Sequence, residues 1–329
     1  MDLLTPARVW AANELSAPAD RHSPPHDRMP FLQQIVMFFS VVGPFVGLVA
    51  AAVLLWGRSS AGGIDAPAAV AMGAMYALTG FGVTIGFHRL LTHRAFEAPR
   101  PVRLLLAILG SAAGQGMAIR WCATHRRHHQ HSDRAGDPHS PRLHGDTLLD
   151  RVRGFWHAHV GWCFDTDPAG TARSVPDLIQ DPALVRIDRL YFLWVALGIL
   201  APALAVGLYR HTWSGFVSGM LWGGLARIFL MQHVTWSINS VCHVWGGREF
   251  QSADHSTNNF PLAILSLGEG WHNNHHAFPT SARHGLRWWQ FDASYLVIRG
   301  MQALGLASHV RTPSATAMQS KALADAHVG

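Results

Sequence analysis

Charge is scarce in this chain. Asp, Glu, Lys and Arg make up 14% of its 329 residues and hydrophobic residues 49%, whereas soluble domains carry roughly 25% charged residues. The shortfall argues against a soluble globular protein, and the apolar content excludes a disordered one. Lysine is nearly missing: Lys321 stands alone among 26 basic residues. The arginines bracket apolar runs instead of gathering on one soluble face, so the net charge of +6 does not mark a nucleic-acid binder. Cysteine is sparse too. Cys122, Cys163 and Cys242 show no CxxC spacing and cannot all pair, which excludes a disulfide framework and a thiolate zinc site. They read as reduced, packed thiols. Glutamate occurs four times, as Glu14, Glu97, Glu249 and Glu269, and only Glu269 with His272 has Glu-x-x-His spacing. A carboxylate di-iron bundle, which uses two such motifs, is thereby excluded. The first 30 residues hold prolines and arginines and no apolar segment, so they carry no secretion signal.

Long apolar runs are what the chain has instead. A membrane span needs about 20 largely apolar residues. Residues 31–56, 66–87, 190–209 and 213–236 qualify, the last interrupted by Arg227, which the length of the run would let snorkel to the far face. Two short links pair the runs into two hairpins. The N-terminal segment, the stretch 88–189 and the chain beyond 236 hold 23 of the 26 basic residues. By the positive-inside rule, both termini and the long central stretch face the cytosol. The expectation is an all-α integral membrane protein: a cytosolic segment 1–30, a membrane domain 31–290 with four spans and a helical cytosolic cap, and a C-terminal helix and flexible tail over 291–329. Residues 104–119 and 261–267 are too short or too glycine-rich to span and read as helices at the interface or plugged into the cap. Residues 165–181 read as a loop.

Histidine is the positive outlier, at 22 residues against 20 Asp plus Glu. Most of the excess is patterned. His88 and His93 stand as HRLLTH, His125, His128 and His129 as HRRHH, Asn239 and His243 as NSVCH, and His272, His275 and His276 as HNNHH. Every group falls at a membrane boundary on the cytosolic side. On a helix, positions i, i+3 and i+4 share a face, so each HxxHH aims three imidazoles one way. Asn239 and His243 align as i, i+4. His88 and His93 are five apart and diverge on a regular helix, so they require a bulge or a helix end between them. Nine imidazoles exceed the needs of one metal. Two ions with four or five neutral nitrogen ligands each, iron, zinc, copper or nickel by ligand chemistry, would use the whole set, with Asn239 holding a water. Asp133, Asp137, Asp254 and Glu269 are placed to orient ligand rings from behind. Isolated histidines, His284 among them, read as ordinary surface or packed residues. His139, His159 and His233 lie near the groups without a repeated spacing.

A metal site resting on apolar spans suggests a lipid substrate. No nucleotide loop and no haem-attachment motif occurs. Iron there would activate O2 for C–H abstraction. The segments VTIGFHRLLTHRAF (83–96), HRRHHQHSDRAGDPH (125–139), GFWHAHVGW (154–162), NSVCHVWG (239–246) and LGEGWHNNHH (267–276) resemble the membrane fatty acyl desaturases, closest to the stearoyl-CoA Δ9 group. The resemblance covers residues 31 to about 290. It implies four spans, a cytosolic cap and a non-haem di-iron centre held by His88, His93, His125, His128, His129, His243, His272, His275 and His276, with Asn239 through water. It implies O2 as co-substrate and electrons from a separate donor such as cytochrome b5, rubredoxin or ferredoxin with its reductase. The product would be a cis double bond, Δ9, in unsaturated fatty acid biosynthesis. Animal members carry an Arg-Asp pair immediately before HxxHH, where this chain has Ala123 and Thr124. The acyl carrier therefore stays open between CoA, acyl carrier protein and a membrane glycerolipid. Arg120, Arg126 and Arg127 are candidates for its head group. Tyr76 and Gly80, twelve and eight residues before His88, share a helix face and are candidates for the floor of the acyl tunnel.

Two other readings stand beside it. The same scaffold serves an acyl hydroxylase or a terminal-alkene-forming decarboxylase, which the motifs do not separate. A membrane metal transporter or a bis-His cytochrome would place ligands inside the spans, and apart from Arg227 and His233 near one end the spans lack such residues.

Overall fold

The computed structural model describes residues 29–55, 64–165 and 171–323. The expected N-terminal cytosolic segment, apart from its last two residues, and the tail beyond residue 323 lie outside the described residues. Among the described residues every regular element is helical, and extended pairing is limited to isolated bridges such as Gly247 with Asn258. The α-helices are α1 (Phe31–Leu55), α2 (Ala66–Phe81), α3 (Arg100–Ala112), α4 (Ala118–His131), α5 (Leu148–His159), α6 (Pro176–Ile179) and α7 (Pro182–Arg189). They continue with α8 (Tyr191–Arg210), α9 (Trp213–Ser218), α10 (Arg227–Ser240), α11 (Phe260–Leu265), α12 (His272–Ala277), α13 (Ala293–Ala303) and α14 (Ala315–Lys321).

Among the described residues four helices are long and apolar enough to cross a membrane: Phe31–Leu55, Ala66–Thr92, Tyr191–Arg210 and Trp213–His243. The second and fourth run further than hydropathy alone indicates. Their added turns carry His88, Asn239 and His243, polar residues that end an apolar run but not a helix. Both of these helices contain π-helical stretches, Gly82–Thr92 and Gly219–Ala226. Asp65 caps α2 by accepting the Ala68 N–H at 2.9 Å and also pairs with Arg210 at the end of α8, tying the loop ends of the two hairpins together.

Arg227 does not snorkel. It is fully buried, and its guanidinium donates to the carbonyls of Gly198 (2.8 Å), Ala112 (3.0 Å) and Gly223 (3.2 Å). The reason lies in Pro202 inside α8. Proline has no N–H, so the carbonyl four residues earlier, that of Gly198, loses its helical donor. Arg227 supplies a replacement, and it also satisfies the C-terminal carbonyl of α3 at Ala112.

The run 104–119 forms two helices rather than one. Gly114 (φ +74°) and Gly116 (φ +100°) adopt left-handed backbone between α3 and α4, a conformation that favours glycine. α3 packs tightly on the π stretch of the second span, where a Cβ on Gly82 would meet the Gly110 nitrogen at 2.2 Å. Residues 165–181 are not simply a loop: they include a short 3-10 turn, Thr171–Ser174, and α6, which cover the outer side of α4. Nor is the C-terminal segment loose up to residue 323. α14 docks on the cap, with Lys321 donating to the Ala277 carbonyl at 2.6 Å and Leu323 to that of Glu249 at 3.0 Å.

Candidate metal centre

The π stretch resolves the His88–His93 problem. An α-helix would set these side chains about 140° apart. Here the His93 N–H bonds to the His88 carbonyl five residues back, at 3.1 Å, and the wider turn brings the two rings to 4.8 Å between centroids. α4 presents His125, His128 and His129 from one face. Its register is set by Arg126, which points the other way and donates to the last carbonyls of the π stretch, Leu91 (2.7 Å) and Thr92 (3.1 Å), to Ser174 and to Asp177. Its donors hold two histidine-bearing elements together. Arg127 donates to the Gly136 carbonyl at 3.1 Å, and Arg120 is half-buried on the same helix. Ala123 and Thr124 are buried.

α12 spans only six residues and is held from behind by its two asparagines. Asn273 accepts the N–H groups of Glu249 and Phe250, both at 2.9 Å. Asn274 accepts from Asn258 and donates to the His284 carbonyl and to Gln290. HNNHH thus divides by face: imidazoles inward, amides outward.

The nine imidazoles converge as two groups. One comprises His88, His93, His125, His129 and His275, the other His128, His243, His272 and His276, and within each group the ligand atoms lie within 4.8 Å of one another. In the first, Nε2 atoms face each other at 3.1 Å (His88 with His275), 2.9 Å (His275 with His129) and 3.1 Å (His129 with His125). In the second they face at 3.1 Å (His243 with His272) and 3.4 Å (His128 with His276). The groups adjoin, with the His129 and His276 rings stacked at 4.4 Å.

These separations fit metal ions. Nitrogens about 2.0–2.1 Å from a common ion and at right angles to one another are about 3 Å apart. The buried Nε2 of His93 has no hydrogen-bond partner in the protein, as expected for a nitrogen whose partner is an ion. Four rings are fixed from behind through Nδ1: His88 by Glu269 (2.5 Å), His128 by Asp137 (2.9 Å), His243 by Asp133 (3.0 Å) and His276 by Asp254 (2.5 Å). A carboxylate on Nδ1 keeps the proton there and leaves the Nε2 lone pair pointing inward. Burial works against charge on these acids, yet their histidine partners, and for Glu269 also Arg89, hold all four well below the usual carboxylate range. Burial, reinforced by neighbouring imidazoles, pushes His93, His125, His129, His272 and His275 well below the ordinary histidine value. Burial takes His276 down to about 4. Neutral imidazole is the ligating form.

A family model described as fatty acid desaturase matches residues 65–311. The chain is 40% identical over 290 residues to hex-5-enoyl-[acyl-carrier protein] acetylenase of Moorena producens, covering 88% of this chain and 89% of that protein. It is 42% identical over 241 residues to sn-1 stearoyl-lipid 9-desaturase of Anabaena variabilis, covering 72% and 81%. It is 44% identical over 254 residues to the chloroplastic palmitoyl-monogalactosyldiacylglycerol delta-7 desaturase of Arabidopsis thaliana, covering 75% of this chain and 63% of that one. The chain belongs to the fatty acid desaturase family. It is an oxidoreductase of fatty acyl chains, and its four apolar helices make it a membrane protein.

In this desaturase the histidine groups open onto a cavity between the second and fourth spans. Val83, Trp121, Met231, Val234, Ile238 and Leu265 line it, and His88, His125, His272 and Asn239 close it. Trp121 stacks on His125 at 5.0 Å. Gly80 also lines the cavity, where an added Cβ would meet Leu267 at 2.7 Å and Met231 at 2.9 Å. Tyr76, one turn below, packs with Val83 and Met231 and donates to the Leu265 carbonyl at 2.6 Å.

Histidine spacing does not reveal three further residues at the centre. His284, which reads as isolated, is buried, packs at a tilt against His275 with ring centroids 4.5 Å apart, and lies 3.3 Å from Glu269. His139 sits 4.4 Å from the His128 ring. Arg89 is the third: fully buried, it pins Glu269 at 3.0 Å and Asp292 at 3.1 Å. Its place inside HRLLTH was the available signal.

Proposed function

We propose that this protein is an O2-dependent acyl desaturase that introduces a cis double bond at Δ9 of a saturated fatty acyl chain, in unsaturated fatty acid biosynthesis. The observation that carries the reading is the meeting of both histidine groups with one narrow apolar cavity. His88, His93, His125, His129 and His275 would hold one iron ion, and His128, His243, His272 and His276, with Asn239 through a water, a second. When bound, such a pair supplies an O2-derived oxidant strong enough to remove hydrogens from an unactivated methylene. The chain's own residues do the rest. The cavity walls bury methylenes, each worth about 0.8 kcal/mol, and hold the acyl chain in one register while excluding water. Asp133, Asp137, Asp254 and Glu269 fix the ligand rings. Tyr76 closes the cavity floor and Gly80 leaves room for the chain.

The acyl carrier is CoA, acyl carrier protein or a glycerolipid, and electrons come from a separate cytochrome b5, rubredoxin or ferredoxin with its reductase. The distribution of arginine supports a cytosolic centre and cytosolic termini. Expression in a host lacking its own desaturase, with fatty acid profiling by mass spectrometry, tests the reading. It predicts cis-9 hexadecenoate or octadecenoate, and hydroxy acids or 1-alkenes overturn it. Similarity to the Moorena acetylenase supports a second reading, further dehydrogenation of an unsaturated chain on acyl carrier protein, which the same profile would reveal as acetylenic acids.

A further inference from the structure

α5 exposes an apolar face that the reaction does not use. Leu148, Leu149, Val152, Phe155 and Trp156 are 80%, 57%, 58%, 39% and 65% exposed. At about 100° per residue they fill an arc of about 120°. Arg151 and Arg153 stand about 40° beyond its two edges, and both are exposed. Arg153 has only a loose contact with Asp150, at 3.8 Å. The other side is packed: Gly154 and Ala158 are buried, and a Cβ on Gly154 would lie 2.1 Å from the Pro141 carbonyl oxygen.

The helix is joined to the rim of the membrane bundle. His159, its last residue, lies 3.0 Å from His233 and 3.0 Å from Ser240, both on the fourth span. The turn that follows packs Trp162 and Phe164 against Met37 and Val41 of α1 and Trp236 of α10. α1 itself turns Phe38 and Phe39 outward at this level, 50% and 66% exposed. The apolar face of α5 is therefore continuous with the apolar surface of the spans.

We propose that α5 is an in-plane membrane anchor. Its Leu148, Leu149, Val152, Phe155 and Trp156 face lies at the boundary of headgroups and acyl chains, with Arg151 and Arg153 on lipid phosphates. An apolar arc edged by two arginines and carrying a tryptophan matches that boundary in polarity and in charge. The anchor fixes the cap, and with it the second histidine group, against the bilayer.

The test uses the full-length protein in phosphatidylcholine vesicles with and without phosphatidylglycerol. Leu149→Cys, Val152→Cys and Trp156→Cys are each spin-labelled, and Asp146→Cys, in the exposed loop before the helix, is the reference. The native cysteines are buried and stay unlabelled. Oxygen collisions should exceed those of a water-soluble nickel chelate at the three helix positions and fall below them at residue 146. Phosphatidylglycerol should deepen the label at residue 152, and Arg151→Gln with Arg153→Gln should remove that response. Nickel access equal to that at residue 146 overturns the proposal. So does exclusion of both relaxants, which marks a protein partner or a second copy on this face. A depth indifferent to lipid charge overturns the phosphate contacts.

Discussion

Four histidines of the centre touch a carboxylate through Nδ1, and that single contact sets tautomer, orientation and basicity together. Asp254 shows what it is worth. Its Oδ2 holds His276 at 2.5 Å, while Oδ1 is held by Ser252 (2.8 Å) and Ser256 (2.6 Å). Asp254→Asn keeps the shape and removes the charge, so iron affinity should fall about 10- to 100-fold with the helix content intact. Iron titration followed by circular dichroism checks both. At the other end of the cavity, Gly80→Leu should shift products toward shorter acyl chains while iron content stays unchanged. An active variant with an unaltered profile would remove Gly80 from the account. At this scale the repeated HxxHH spacing was legible because three imidazoles on one helix face have few other uses. His284 was not legible, because its place against His275 depends on the fold of the loop that carries it. The contacts of Arg126 with the Leu91 and Thr92 carbonyls were not legible either, because they form only when the π stretch and α4 meet.

Elements show how the ligands are aimed. A five-residue spacing between His88 and His93 signals a departure from α-geometry, but not its kind. The π turn emerges from packing against α3, where small residues allow backbones to touch. Arg227 and Pro202 form a similar long-range dependence, invisible until α8 and α10 are side by side. Arg227→Met leaves the Gly198 and Ala112 carbonyls without this donor and should cost about 1–3 kcal/mol of stability for each carbonyl left unpaired, read as a lower thermal midpoint. Pro202→Ala restores a helical N–H for Gly198. The double variant should therefore lose less stability than the sum of the two single variants, and strict additivity in the melting data would contradict the pairing.

Asp188 on α7 gives a pH signature. It is buried, accepts the Ile119 N–H at the start of α4 at 3.1 Å, and burial raises it from 3.8 to about 7. Between those values the folded protein keeps a proton that the unfolded chain has lost. Its contribution to stability is thus full below about pH 4 and is lost as the pH rises toward 7. Melting curves of Asp188→Asn should have a flatter pH dependence across that window than those of the parent.

For the whole molecule, the four-helix frame was legible because a bilayer demands long apolar runs, and such runs stand out in any chain. The histidine-bearing ends of the second and fourth were misjudged, since hydropathy stops at the first polar ligand while the helix continues through it. The docking of α14 was not legible: seven mostly small and polar residues have no periodic signal, and their order comes from Met318 packed against the Phe250, Ala277 and Leu286 cluster and from the Lys321 contact with the end of α12. The frame brings the ends of two spans, one cap helix and one short helix to a common point, and the account stands on what that point holds. Iron counted per chain in the purified protein tests it most directly. About two ions per chain are predicted, five imidazoles on one and four on the other, falling to about one in the His243→Ala, His272→Ala double variant. A single ion in the intact chain, or two retained by that variant, would contradict it.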